Sequence, residues 1–269
     1  AVREADGSFS RADDGVRPLY SITKTFIAAA IDALAVDETR PASDWFEESW
    51  LPRGREISVR QLLTHSSGLR DYGALPAYAE AITSGEPVWS DSSFAEQTLM
   101  QPLLFEPGTS FSYSNPGYWL LKRIIEIESD LPFAQALERL LFAPMKLESL
   151  SVADGVFAED LPHYPSGWVW HGLILGTPAD VAEFMASAAV SALYRNAVAV
   201  PGKHPGWQAP HYAHGLMTEP GTSIGHNGGG PGYSAACHRN LQNGRVACVL
   251  ARAEQDLTET ALQLAAGLA

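Results

Sequence analysis

Apolar positions in this chain keep two different spacings, and the switches between them divide it into three stretches. Residues 2–5 and 8–11 flank an Asp6-Gly7 pair and read as two short strands joined by a turn. After Pro18 the spacing becomes helical. Residues 21–34 (SITKTFIAAAIDAL) are rich in alanine and apolar side chains, lack Gly and Pro, and predict a buried helix. From Ile57 to about Ser191, VRQLLTH, SFAEQTLMQPLL, GYWLLKRIIEIE and FAQALERLLF read as helices parted by Pro- and Gly-bearing loops. TPADVAEFM opens as a capped helix, with Thr177 as N-cap, Pro178 at N1 and Asp180 at N3. Beyond Pro201 the period returns to strands in HYAHGLM, YSAACHRN and RVACVLAR, and DLTETALQLAAGLA closes as an amphipathic helix.

Strands at both ends with helices between them predict an α+β fold of the α/β sandwich type. An antiparallel sheet built from both termini and flanked by helices (residues 1–20 plus 205–269) would carry a mainly helical region (residues 21–204). A functional site is expected in the cleft between sheet and helices.

Composition narrows the function classes. The chain has 269 residues, 46% hydrophobic and 18% charged, which suits a globular protein with a well-buried core. A net charge of −13 argues against a nucleic-acid binder, and no apolar run approaches the roughly 18 residues of a membrane span. AVREADGSFS shows neither a basic nor an apolar signal region, so no signal peptide is expected within it. Eight histidines lack HExxH spacing, and nothing here calls for a metal or cofactor. Cys237 and Cys248 flank LQNGR. With Asn243-Gly244 as the turn, Cys248 falls opposite Arg239, so two buried free thiols are expected on adjacent strands.

Three motifs carry candidate chemistry. Ser21-Ile22-Thr23-Lys24 places a hydroxyl and an amine on one helix face, where the amine can activate the serine as a nucleophile. With 23 serines and four lysines about 0.3 such pairs arise by chance, and Ser21 could be a plain N-cap. This Ser-x-x-Lys is nevertheless the only one present, and its lysine heads an otherwise apolar helix. Tyr113-Ser114-Asn115 offers a phenol for proton transfer and an amide for a substrate carbonyl; the alternative is a core tyrosine and a cap on the helix begun by Pro116. A second copy of that spacing, Tyr194-Arg195-Asn196, lacks the Gly- and Pro-bounded loop of the first. In His226-Asn227-Gly228-Gly229, glycines would let a substrate approach the backbone of an edge strand, whose N–H could join that of Ser21 around an oxyanion. The same run could be an ordinary glycine-rich turn. His204-Pro205-Gly206 repeats the His-x-Gly spacing but loses a donor to its proline.

Together with ISVRQLLTHSSGL at 57–69, EPGTSFSYSNPGYWLL at 106–121 and GHNGGGPGYS at 225–234, the three motifs resemble the serine β-lactamase-like family. The resemblance is to its class C β-lactamase, D,D-carboxypeptidase and esterase branch, and it covers nearly the whole chain. It implies a β-lactamase/transpeptidase-like fold, Ser21 as nucleophile, Lys24 and Tyr113 as the proton-handling pair, and Asn115 as a substrate-amide contact. His226, Gly228 and Gly229 would line the substrate site, with the N–H groups of Ser21 and Gly229 as oxyanion hole. Expected substrates are small esters, D-amino-acid peptides or β-lactams. Two departures matter. About twenty residues precede the serine, fewer than the family usually carries, which implies that an N-terminal helix and part of the sheet edge are absent or shortened. The third motif opens with His226 where β-lactamases typically have Lys, and a neutral histidine offers less positive potential to a substrate carboxylate. D,D-peptidase, D-aminopeptidase-like or esterase activity is therefore favoured over β-lactam hydrolysis. A sensor module that binds penicillins or peptides without turnover is the alternative of another class. His65-Ser66-Ser67-Gly68 reads as a helix end turning at Gly68, not as part of a Ser-His-Asp triad, since no GxSxG elbow accompanies it. Trp168, Trp170 and His171 either line the pocket or pack in the core.

Overall fold

The computed structural model describes residues 1–10, 14–159, 161, 163–202, 204, 206–253 and 255–268. Arg11, Pro205 and Ala269, included in the strand, decoy-motif and terminal-helix expectations above, lie outside them.

In chain order, strands β1 (Val2–Arg3), β2 (Phe9–Ser10) and β3 (Arg17–Pro18) lead to a single 3-10 turn at Tyr20–Ile22 and helix α1 (Thr23–Ala33). Helices α2 (Val59–Leu63), α3 (Pro76–Ser84), α4 (Asp91–Gln97), α5 (Asn115–Ser129), α6 (Phe133–Leu137) and α7 (Ala143–Met145) follow, with a π-helical turn at Glu138–Phe142. Then come β4 (Ser151–Val152), β5 (Ile174–Gly176), α8 (Pro178–Ala186) and α9 (Ala188–Ala192). The chain ends with β6 (Val198–Ala199), β7 (His211–Tyr212), β8 (Met217–Glu219), β9 (Ser223–Gly230), β10 (Tyr233–Asn240), β11 (Val246–Ala251) and α10 (Thr258–Ala266).

The predicted α+β architecture is present: among the described residues the main sheet has eight antiparallel strands in the order β2-β1-β11-β10-β9-β8-β7-β6. Both chain ends contribute, since the Ala1 ammonium donates to the Cys248 carbonyl and the Cys248 N–H returns a bond to Ala1. A three-stranded sheet, β3-β5-β4, stands apart from it. No helix among the described residues is long and apolar enough to cross a membrane.

Strand alternation sends side chains to two covered faces. Ala235, Cys237, Val246 and Cys248 join the main core with α1 and α8, where Phe26 stacks on Phe184 with ring centroids 3.7 Å apart. Ala236 packs on the other face against Leu257 and Ala261 at the start of α10. Polar bonds pin that helix to β9 and β10. Asn227 Nδ2 donates to Thr258 Oγ1, its Oδ1 meets His238 Nε2 at 2.6 Å, and Thr258 Oγ1 donates to Asp256.

Several local expectations change. The helix predicted over 21–34 starts as the 3-10 turn, because Tyr20 adopts a left-handed φ of +44° that no straight helix could enter. Cys248 lies opposite Cys237, not Arg239. Asn240 Oδ1 takes the N–H groups of Gln242 and Asn243, so the connection spans residues 241–244 and the register shifts. Both cysteines are buried free thiols. HYAHGLM is two strands, since Gly215 turns with φ +65° and sits where a Cβ would lie 2.7 Å from the Lys24 carbonyl. Thr177 caps α8 as predicted, accepting from the Asp180 N–H.

Candidate active site

Ser21 stands at the mouth of α1, half-buried, held by close backbone contacts on either side. A Cβ at Gly228 would lie 2.1 Å from the Leu19 carbonyl oxygen and 3.1 Å from the Ser21 nitrogen. A Cβ at Gly230 would enter the Tyr20 ring, whose hydroxyl donates to the Pro231 carbonyl at 2.7 Å. Only glycine lets β9 come this near. The strand is not an edge strand along its whole length, because β8 pairs with it at residues 223–225. Beyond Gly225 it pairs with β10 alone, so His226–Gly230 presents a local edge toward the serine. Gly229 is exposed, with nothing within 4 Å of a Cβ placed there.

One turn into α1, Lys24 is fully buried. Its Nζ has three polar partners: Ser21 Oγ at 3.0 Å, Asn115 Oδ1 at 2.7 Å and His171 Nε2 at 3.1 Å. Burial drives its pKa well below the ordinary lysine value, and the Asp71 carboxylate opposes that shift. Its Nζ lies 5.0 Å from the centre of the Tyr113 ring. Burial raises the Tyr113 pKa well above the usual tyrosine value, and the nearby Ser21 side chain opposes that shift.

Tyr113 and Asn115 arrive on the loop that becomes α5. Ser114, not Asn115, caps that helix by accepting from the Gly117 N–H. The Ser114 N–H donates to His65 Nδ1 at 3.1 Å, and the His65 carbonyl accepts from Ser112, so the HSSG segment positions the motif loop. Asp71 accepts from both the backbone and side-chain nitrogens of Asn115 at 2.9 Å. Asn115 is thereby held from both ends, Asp71 on Nδ2 and Lys24 on Oδ1.

His226 shares the serine-facing side of β9 with Gly228, yet its ring is 1% exposed. Nε2 meets the Tyr212 hydroxyl at 2.8 Å and Nδ1 meets the Asn227 carbonyl. Burial, with Lys24 next in effect, lowers its pKa to about 3, so it is neutral near pH 7. Tyr194-Arg195-Asn196 lies elsewhere: Arg195 pairs with Asp32 and Asn196 donates to Glu38.

Two residues of this cluster were not singled out as site residues by sequence. Asp71 gave no signal beyond its place after the HSSG turn. His171 was grouped with Trp168 and Trp170. Those tryptophans pack in the core, Trp168 against Tyr78 and Trp89 and Trp170 on Phe94, whereas His171 reaches Lys24.

A family model described as Beta-lactamase matches residues 6–268. Penicillin-binding protein 4* of Bacillus subtilis (strain 168) is 24% identical over 278 residues, covering 88% of this chain and 61% of that protein. A D-aminopeptidase of Gluconobacter oxydans is 31% identical over 143 residues, 50% of this chain and 26% of the relative. This chain thus spans less than two thirds of either relative. Among solved structures, a D-stereospecific amidohydrolase from Streptomyces sp. superposes with a TM-score of 0.77 at 21% identity, covering 94% of this chain and 88% of that one. A D-amino acid amidase from Ochrobactrum anthropi SV3 gives 0.72 at 22%, covering 95% and 83%. At these identities the likeness is one of fold.

Proposed function

The chain belongs to the Beta-lactamase family, and on that premise we propose that it is a serine hydrolase acting through an acyl-Ser21 intermediate on small amides or esters, D-amino-acid amides and peptides foremost. The observation that carries this reading is the buried Lys24 amine, 3.0 Å from Ser21 Oγ and depressed in pKa by its surroundings. A neutral amine there takes the Ser21 proton as the Oγ–carbonyl carbon bond forms. Tyr113, whose phenol burial keeps protonated, is suited to deliver a proton to the leaving group; the opposed directions of the two pKa shifts favour Lys24 as base. The N–H groups of Ser21 and Gly229 are assigned to the developing oxyanion. Asn115, with one Nδ2 hydrogen beyond its bond to Asp71, is assigned to a substrate carbonyl. The proton that Lys24 took then passes to Tyr113; water attacks the acyl carbonyl carbon, giving a proton to Lys24 as its O–C bond forms, and that proton goes to Ser21 Oγ as the ester bond breaks.

Two observations support substrate class. The names of the relatives include a D-aminopeptidase, a D-amino acid amidase and a D-stereospecific amidohydrolase. His226 is neutral with both ring nitrogens engaged, so it supplies no cation for the carboxylate of a β-lactam. On this reading the sheet with its flanking helices (residues 1–20 plus 205–269) presents β9 to the motifs carried by the mainly helical region (residues 21–204).

A fluorophosphonate probe and a fluorescent penicillin, followed by mass spectrometry, test the acyl-enzyme. Label is expected on Ser21, lost in Ser21→Ala and slowed about 10²–10⁴-fold in Lys24→Ala. Equal labelling of the variants and the wild type would sink the reading. Hydrolysis of D-phenylalanine amide is expected to outpace that of a chromogenic cephalosporin; the reverse order would overturn the substrate preference.

A further inference from the structure

His171 is one residue beyond a core tryptophan, 3% exposed, in the segment between Trp168 and β5. Both of its ring nitrogens lie near Lys24 Nζ, Nε2 at 3.1 Å and Nδ1 at 3.5 Å. A neutral imidazole carries its proton on one ring nitrogen and a lone pair on the other, so the ring can accept one hydrogen from Nζ.

We propose that His171 is a positioning residue for Lys24: its lone pair receives one hydrogen of the ammonium formed when Lys24 takes the Ser21 proton, and so keeps the amine aimed at Oγ. This role rests on the acyl-Ser21 reading given above. The proton balance is closed. The Ser21 O–H bond breaks, its electron pair goes into the new bond to the carbonyl carbon, the carbonyl π pair moves onto its oxygen as the oxyanion, and the proton ends on Lys24 Nζ. His171 exchanges no proton, because it acts as a neutral acceptor. Asn115 Oδ1 receives a second ammonium hydrogen, and the third remains directed at Ser21 Oγ. Without His171 one hydrogen of a fully buried ammonium would lose its acceptor, which disfavours the charged form.

Other groups around the pair bear on its titration. Lys24 faces the Asp71 carboxylate, the rings of His65 and His226, and the phenols of Tyr113 and Tyr118. His171 faces Lys24, His226 and, across α5, Lys122. Burial first and then the Lys24 charge hold His171 well below the ordinary histidine pKa, in keeping with a neutral acceptor at pH 7.

The test compares wild type with His171→Gln, which keeps an acceptor that does not titrate, and His171→Leu, which removes it. Two readouts are taken on folded protein. One is the Lys24 titration, followed by NMR with lysine labelled at the carbon beside Nζ and assigned with Lys24→Met; the chain has only four lysines. The other is the pH profile of Ser21 acylation by a nitrophenyl ester. In His171→Leu the Lys24 midpoint should move to lower pH and acylation should slow by about tenfold or more across the profile. In His171→Gln the midpoint should stay near the wild-type value, with acylation within about threefold. A wild-type midpoint and rate in folded His171→Leu would overturn the proposal, as would a Gln variant as impaired as Leu. If the Leu variant does not fold, wild-type imidazole ¹⁵N shifts decide: one unprotonated ring nitrogen that responds as Lys24 titrates supports the pairing, and two protonated nitrogens at pH 7 overturn it. Absent labelling of wild-type Ser21 would defeat the acyl-enzyme reading, while the Lys24 titration would still report the pairing by itself.

Discussion

A lysine sealed among apolar side chains keeps its charge only as far as its hydrogens find acceptors and a counter-charge stands near. For Lys24 the only counter-charge acting on it among the described residues is Asp71, which reaches it through Asn115 rather than by direct contact. Asp71 therefore has two effects: its field raises the Lys24 pKa, and its oxygen locks the amide that locks the amine. Asp71→Asn separates them. Removing the field should let the Lys24 pKa fall further, so the acid limb of the acylation profile should move to lower pH. Loss of the ionic lock on Asn115 should lower the plateau rate by about tenfold. A stopped-flow pH series on a nitrophenyl ester would show both, and a limb that moves to higher pH would contradict the sign. None of this was legible from Asp71 itself, whose meaning comes from a partner 44 positions away. Ser21, Lys24, Tyr113 and Asn115 were legible because their spacing or loop context says what they can do, whereas the acceptor role proposed for His171 depends on a partner 147 positions away, which no local pattern encodes.

At the scale of elements, the site depends on how near β9 can lie to the turn before α1. Gly228→Ala would push a methyl group into the Leu19 carbonyl and against the Ser21 nitrogen, both backbone, so neither can swing aside. About 1–3 kcal/mol of stability should be lost, with acylation of Ser21 falling in parallel. Gly229→Ala meets open space and should change stability by less than about 0.5 kcal/mol. Chemical denaturation of the two variants makes the comparison, and equal losses would show that the close approach is not what holds the turn. The strand and its glycines are legible in the sequence but their ranking is not, because the three successive glycines look alike until a neighbouring backbone lies against one. The β10–β11 register failed for a related reason. Asn243-Gly244 is a good two-residue turn by composition, but the Asn240 side chain captures the next N–H groups first and lengthens the connection.

Across the whole molecule, the chain has gathered histidines into its interior as neutral groups. Burial lowers the pKa of His226 and His238 to about 3 and of His214 to about 4, and places His65 and His171 well below 6.5. A histidine with a depressed folded-state pKa stabilises the protein fully above its unfolded value near 6.5. That stability is lost as pH falls from there toward the folded pKa, because the unfolded chain binds the proton first. Each of the five contributes a slope of roughly 1 kcal/mol per pH unit in that window. Asp71 works the other way: its raised pKa makes the folded state the better proton acceptor in acid and returns a part of the loss. The exposed carboxylates of Glu56 and Glu106, lowered mainly by Arg53, act only at lower pH, as they protonate. Between pH 7 and pH 5 the histidines should together cost the protein several kcal/mol of stability, less the part that Asp71 returns. Guanidinium unfolding at half-unit pH steps would measure it. A flat stability over that range would mean that the histidines reach solvent and protonate without unfolding, which the buried bonds of His226 to Tyr212 and of His238 to Asn227 oppose.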